Sequence, residues 1–423
     1  MRRQSSSGIL LLIAAVIAML WSNSPYTDVY FDFWNKELTL GHGTLQVSEP
    51  LILWVNDGLM ALFFFVVGLE IKREVMAGEL STIKEVIMPF TAAIGGMAVP
   101  AIIFILIAGN TPIGHGWGIP MATDIAFSLG ILSLLGAMVP IGLKVFLTAL
   151  AIVDDIGAIL IIAFFYSNDI QWGYLQVAAG LFLLLLIFNY FNLRIVALYL
   201  FVGLFVWFCF LKSGVHPTVA GVLVALTIPA RRKIKMQDFI KQTKSSLVLF
   251  DKAKWLDSKV LLGKEQITAV DCIAENVKKV QSPVQSLENS LSTFTANLVM
   301  PIFALANASI VIVASEFNLL NRATFGVGLS LLLGKVVGVS LFSWLSVRLG
   351  WAKLPTGVNW TQIIGVGFLS GIGFTMSLFI TNLAYADATV ITASKIGIVI
   401  GSLLAGVIGF IILKINFRKM EST

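Results

Sequence analysis

Asp154 and Asp155 stand side by side in "ALAIVDDIGAILIIAFFY", residues 149–166, which is otherwise free of charge. They occupy the middle of an apolar segment running from 142 to 166. A carboxylate at the centre of a membrane-spanning helix costs about 2.5–3.5 kcal/mol on insertion scales. Neighbouring residues of a helix point about 100° apart, so the two acids cannot both face one partner. At least one of them must meet a wet cavity or another helix. Lys335, in "LSLLLGKVVGVSLF", lies near the centre of a second apolar segment. A lone ammonium there is as costly, and Asp154 or Asp155 is its expected partner. Such groups mark ion or proton paths. The competing structural use is a pair that only ties two helices together while the other acid caps a local break.

Asp124 follows Pro120 and Thr123 in "HGWGIPMATDIAFSLGILSLLG", where the proline is expected to interrupt a helix. The segment 360–384 contains "GVGFLSGIGFTMSLF", with Gly367, Gly371 and Gly373 at its centre and Thr375 beyond. Unwound backbone at membrane depth survives only where it is buried or lines a cavity. One interrupted segment in each half of a chain points to the binding site of a secondary transporter. Breaking a helix exposes partial charges of both signs. Asp124 would offset facing N-termini and Lys335 facing C-termini. Close helix packing is the other use of such glycines.

These residues need elements to hold them, and the composition says which. Of 423 residues, 57% are hydrophobic and 12% charged, with a mean hydropathy of +0.91. Soluble proteins carry about 25% charged residues, so a soluble enzyme is excluded. The expected fold is an all-α polytopic membrane protein, one transmembrane domain over 1–423. Twelve apolar segments read as helices: 5–23, 51–70, 86–108, 117–136, 142–166, 174–191, 195–211, 214–230, 291–314, 323–345, 360–384 and 390–413. With the N-terminus inside, Lys36, Lys212, Arg322 and Lys395 fall at or near the outer face and Lys335 within the membrane. The rest of the 29 Lys and Arg residues face the cytoplasm. Both termini are then cytoplasmic. "MLWSNSPYTD" offers no signal-peptidase site, so the first helix is expected to stay. The excess of positive charge reflects this orientation rather than nucleic-acid binding.

Two loops carry content. "ELTLGHGTLQV", 37–47, alternates around Gly41-His42-Gly43 and predicts an external β-hairpin whose edge could pair with a second copy. The cytoplasmic stretch 231–290 mixes charges with apolar residues at helical spacing. It reads as one or two surface helices near the membrane, or as a loosely ordered linker. Cys209 and Cys272 make no disulfide framework. His216, before Pro217, reads as structural or interfacial. No HExxH or Walker-type motif occurs, so no zinc, ATP or other cofactor is expected. The energy would come from ion gradients.

"ATDIAF", "ALAIVDDIGAI", "LKSGVHPTVAGV", "MPIFALANA", "GK" at 334–335, "GIGFTMS" and "GLEIKRE" at 68–74 together resemble the bacterial NhaA sodium/proton antiporters. The similarity covers essentially every apolar segment. It implies twelve helices, with segments 3–5 and 10–12 as inverted repeats and segments 4 and 11 broken and crossed at mid-membrane. It also implies a homodimer in the inner membrane, joined through the external hairpin, that exchanges Na+ or Li+ for H+, with a pH response. Asp155 is similar to the family's principal cation ligand and proton carrier, and Asp154 to the neighbour that pairs with the lysine, here Lys335. Thr123 and Asp124 match residues of the broken helix. Asp57 matches an external acidic residue. Glu70, Arg73, Glu74 and Glu288 match charged residues at the cytoplasmic mouth associated with pH response. Gln285, Asn289 and Ser292 depart from the pattern, which puts basic or histidine partners there. "GKVVG" lacks the usual proline after the lysine, and the loop 231–290 is longer.

Two other functions use buried acids. An intramembrane aspartyl protease needs two carboxylates sharing a proton, usually from different helices. A passive sodium channel would conduct without moving protons.

Overall fold

In a bilayer the backbone has no water to bond, so apolar runs of this length must close their hydrogen bonds internally as helix. The computed structural model describes residues 2–41, 46–78, 83–167, 169–252, 261–311 and 321–421. Helix α1, Arg2–Ser22, is followed by α2, Thr27–Asn35, bent 115° from it. Sequence reading gave no element at α2. Its nine residues bury only Tyr30 and Trp34. Strands β1, Glu37–Leu40, and β2, Val47–Pro50, form the antiparallel hairpin, with Leu38 opposite Glu49. It extends three residues past the expected 37–47, while His42 and Gly43 lie outside the described residues.

The long helices follow: α3, Leu51–Ala77; α4, Ile83–Ala108; a 3-10 helix, Pro112–Met121; α5, Ile125–Leu134; α6, Ile141–Phe165; α7, Trp172–Tyr190; α8, Val196–Ser213; and the short α9, Thr218–Thr227. Two helices fill the polar stretch, α10, Met236–Lys252, and α11, Lys264–Val280, with 253–260 outside the described residues. Helix α12 runs over 283–307 with a π turn at Thr295–Val299, eight residues earlier than the expected start. The end of the expected segment, 312–314, lies outside the described residues. Then come α13, Arg322–Arg348; α14, Trp360–Ser370; α15, Phe374–Ala384; and α16, Ala388–Glu421. All twelve apolar segments contain helix. Among the described residues, seven helices are long and apolar enough to cross a membrane, or ten if each bent pair is one span.

The second break comes where the glycines predicted it, at 371–373, with a 45° bend between α14 and α15. The first comes later than Pro120. The proline stays inside the 3-10 helix, and the chain unwinds at 122–124 with a 42° bend before α5. Ala122 and Asp124 are extended, because the Asp124 N–H bonds to Ile372 O at 2.6 Å in the opposite break rather than to its own helix.

Small residues bring the helices close. A Cβ on Gly95 in α4 would lie 2.3 Å from Gly338 O in α13, and one on Gly338 would lie 2.1 Å from Gly95 O. A Cβ on Gly221 in α9 would meet Ala61 O of α3 at 2.2 Å. The main core gathers around the two breaks, with Phe64, Phe303 and Phe379 among its fully buried side chains. A second cluster, including Leu69, Tyr199 and Val206, joins α3 to α7, α8 and α9.

Candidate functional site

A helix terminus leaves unpaired backbone groups that need partners, and the two breaks supply them to each other. Asp124 is the N-cap of α5 and its Oδ1 accepts from Phe127 N at 3.2 Å. Its Oδ2 accepts from Thr375 N at 3.1 Å and from the Thr375 hydroxyl. One carboxylate therefore meets the N-termini of both half-helices, as the sequence suggested. Ser402 of α16 completes the second terminus, accepting from Gly373 N at 3.2 Å and Phe374 N at 3.3 Å.

The opposite, carbonyl ends are satisfied by hydroxyls. Ser128 donates to Leu369 O at 2.7 Å, and Ser377 donates to Ile119 O at 2.7 Å. The two serines occupy the same turn of their half-helices, since Ser128 N bonds to Asp124 O and Ser377 N to Gly373 O. Each break clamps the other in the same way. Sequence reading missed both serines, although a serine one turn past each break was the available signal. The side-chain partner of Lys335 is Asp154, one of the two acids the sequence expected it to meet.

Helix α6 is unbroken through its two acids, which therefore diverge around the helix. Asp154 Oδ2 pairs with the Lys335 ammonium, at 1% and 0% side-chain exposure. The π turn Ser330–Gly334 ends directly before Lys335. The Thr123 hydroxyl lies 2.5 Å from the same Asp154 oxygen and 2.8 Å from Ser370 O, so its proton can go to either. Asp154 Oδ1 has no hydrogen-bond partner. With Lys335 on Asp154, the two acids do not form a proton-sharing pair.

Asp155 turns the other way, into a cavity of about 430 Å³. Its walls carry Thr123, Asp124 and Thr375 from the two breaks and Glu70, Arg73 and Glu288 from α3 and α12. Asp155 Oδ2 is buried without a hydrogen-bond partner. Carboxylate, hydroxyl and backbone oxygens are what a hard cation binds. The chemistry available here is the exchange of one positive species for another at an acid that cannot stay bare.

Also lining the cavity, Arg73 joins three acids. It lies 3.9 Å from Glu70, 2.8 Å from Glu74 and 2.9 Å from Glu288. Of the departing positions, Gln285 is used elsewhere. Its N–H bonds to the Ser282 hydroxyl at 3.3 Å and its side chain accepts from Ser282 N at 3.4 Å, boxing the start of α12. Ser292 lines the cavity and Asn289 is exposed.

Asp57 is not brought to this cavity. It lies thirteen residues before Glu70 on α3, about 20 Å along the axis. Its Oδ1 is 3.4 Å from His216 Nε2, and its backbone O accepts from Trp207 Nε1 at 2.9 Å. His216 Nδ1 lies 2.8 Å from the Thr218 hydroxyl. This acid–histidine contact was not read from the sequence, where the two residues are far apart.

Comparison with known proteins bears on this arrangement. Residues 1–413 match the family model described as Na+/H+ antiporter 1. The chain is 46% identical over 419 residues to a protein of Oleidesulfovibrio alaskensis named Na(+)/H(+) antiporter NhaA, covering 99% of this chain and 93% of that one. A protein of the same name from Christiangramia forsetii is 46% identical over 422 residues, with coverages of 99% and 93%. Na(+)/H(+) antiporter NhaA 1 of Aliarcobacter butzleri is 43% identical over 416 residues, with coverages of 98% and 96%. With matches of this extent and a motif set running from Glu70 to Thr375, the chain belongs to the Na+/H+ antiporter 1 family.

Proposed function

We propose that this chain is a secondary antiporter that exchanges cytoplasmic Na+, or Li+, for external protons across the bacterial inner membrane. The observation that carries the reading is the Asp155 carboxylate, with an unpartnered oxygen, lining a cavity that Glu70, Arg73 and Glu288 also line. A proton and a sodium ion cannot use the same carboxylate lone pairs at once. Binding one expels the other, and if access alternates between the two sides, each turnover couples the two gradients.

In this reading Asp155 is the principal cation and proton site, with Asp154 and Thr123 contributing oxygens. Lys335 compensates charge and takes part in proton coupling. Asp124 holds the half-helix N-termini beside the site, and Asp57 stands on the external side. Glu70, Arg73, Glu74 and Glu288 form the cytoplasmic mouth and set the pH response. Two protons per Na+ would make the exchange electrogenic. The architecture proposed for the whole chain is twelve crossings in one transmembrane domain, both termini cytoplasmic, with inverted repeats and crossed broken helices. The like-for-like clamping by Ser128 and Ser377 supports that symmetry. A homodimer through the external hairpin completes the proposal.

Inverted vesicles containing the protein test it. With a proton gradient established, adding Na+ should release the quenching of an acid-trapped fluorescent dye, and K+ should not. A Na+ current that leaves the pH gradient untouched would instead mark a channel.

A further inference from the structure

Helices α10 and α11 are not used by the exchange site, and their side chains fall into three registers. One is the seam between them, with Phe239, Thr243, Ser246 and Phe250 facing Ala269, Ile273, Asn276 and Val280, all buried or half-buried. The helices are antiparallel, since Lys233 N, just before α10, bonds to Lys279 O at the end of α11 at 3.1 Å. The second register is apolar and uncovered. Met236, Ile240 and Leu247 line one flank of α10, and Ile267, Val270 and Val277 one flank of α11, at 38% to 53% exposure, while Val248 and Leu249, at 51% and 59%, lie off this flank. Both stripes follow the seam in the same rotational sense at about 100° per residue. In an antiparallel pair, equal rotations put the two stripes on one side of the hairpin.

The third register borders that apolar face. It holds the exposed Lys241, Lys244, Lys264 and Lys278, against the acids Asp251, Asp271 and Glu275. Arg231, Arg232, Lys233 and Lys235, also exposed, stand just upstream. An apolar face rimmed by lysines fits the boundary between acyl chains and anionic headgroups. The chain continues from α11 into α12, so the hairpin is tethered to a helix that enters the membrane domain. We propose that the α10–α11 hairpin lies on the bilayer surface and binds the anionic phospholipid headgroups around the protein. This inference does not depend on which ions the cavity exchanges.

The test uses the full chain, with Cys209→Ala and Cys272→Ser, reconstituted in vesicles of phosphatidylcholine and phosphatidylglycerol with brominated acyl chains. A fluorophore is attached at Leu247→Cys, at Val270→Cys or, on the far side of α10, at Ser245→Cys. These are surface positions, and size-exclusion profiles report folding of each variant. Fluorophores at 247 and 270 should be quenched and the one at 245 should not. Quenching at 247 should fall severalfold in pure brominated phosphatidylcholine, and likewise on combining Lys241→Gln, Lys244→Gln, Lys264→Gln and Lys278→Gln. Equal quenching at 245 and 247, or none at either, overturns the proposal. Quenching that ignores headgroup charge overturns it too, as do disulfide cross-links between copies through Leu247→Cys, which would show a second chain covering the face. Na+-driven dye dequenching in the same vesicles reports the exchange separately, so the two conclusions stand or fall apart.

Discussion

The Lys335 ammonium donates to Asp154 Oδ2 in a place neither side chain shares with water, at 0% and 1% exposure. Removing one member of such a pair leaves a bare charge where solvation is poor, at a cost of about 3–5 kcal/mol. Removing both charges together costs far less. Lys335→Ala is therefore expected to lower the thermal unfolding midpoint of the detergent-solubilised protein strongly. Combining Asp154→Asn with Lys335→Gln should recover most of that loss. A double variant no more stable than Lys335→Ala would show that the pair is not what Lys335 contributes to stability.

The paired clamp at the breaks gives a second expectation. Ser128→Ala and Ser377→Ala each leave one buried carbonyl, Leu369 O or Ile119 O, without its hydroxyl. Leu369 O keeps the Ile372 N–H as a donor, so the cost should be that of one net hydrogen bond, about 0.5–1.5 kcal/mol apiece, and similar for the two because they do the same thing. The check is the unfolding midpoint of each single variant. One sensitive serine and one silent one would break the equivalence.

At the crossing of α4 and α13, a methyl on Gly338 would stand 2.1 Å from Gly95 O. No side chain can yield there because the obstacle is backbone. Gly338→Ala should force the helices apart and displace Lys335 one turn away. The measurement is the yield of monodisperse protein, expected to fall well below that of Gly130→Ala, where an added Cβ meets nothing within 4 Å.

Much of this was legible from charge and chain chemistry. Asp154, Asp155 and Lys335 were expensive enough to betray a shared site before any geometry was known, and Gly371 and Gly373 marked the second break. The divergence of the acids followed from helix geometry, whereas the choice of Asp154 over Asp155 as the lysine's partner came from the resemblance to the NhaA antiporters. What stayed hidden depended on contacts between distant segments. Ser128 is an ordinary helix residue until Leu369 O is placed opposite it, and Asp57 gives no sign of His216. The first break shifted from Pro120 to 122–124 because an N–H found its acceptor, Ile372 O, in the other half of the chain. The short α2 lacks the length by which a periodic pattern announces itself.

In the proposed exchange a proton and Na+ compete for the site acids, and that competition fixes the sign of the pH dependence. Below the range in which the site acids lose their protons, Na+ must displace a proton to bind. Each unit of acidification should then weaken apparent Na+ affinity by about tenfold for one displaced proton, and about a hundredfold for two. Above that range the affinity should level off. Half-saturating Na+ concentrations in proteoliposomes across a pH series give the slope. An affinity indifferent to pH would separate the proton from the cation site.

The most direct test is made on Asp155 itself, whose carboxylate lines the cavity with one oxygen unpartnered. Asp155→Asn keeps the shape and removes the charge. Isothermal calorimetry should detect Na+-linked proton release from the wild-type protein and none from Asp155→Asn, provided both unfold at comparable temperatures. Proton release of wild-type size from the asparagine variant would contradict the account, because the exchange would then be taking place on some other group.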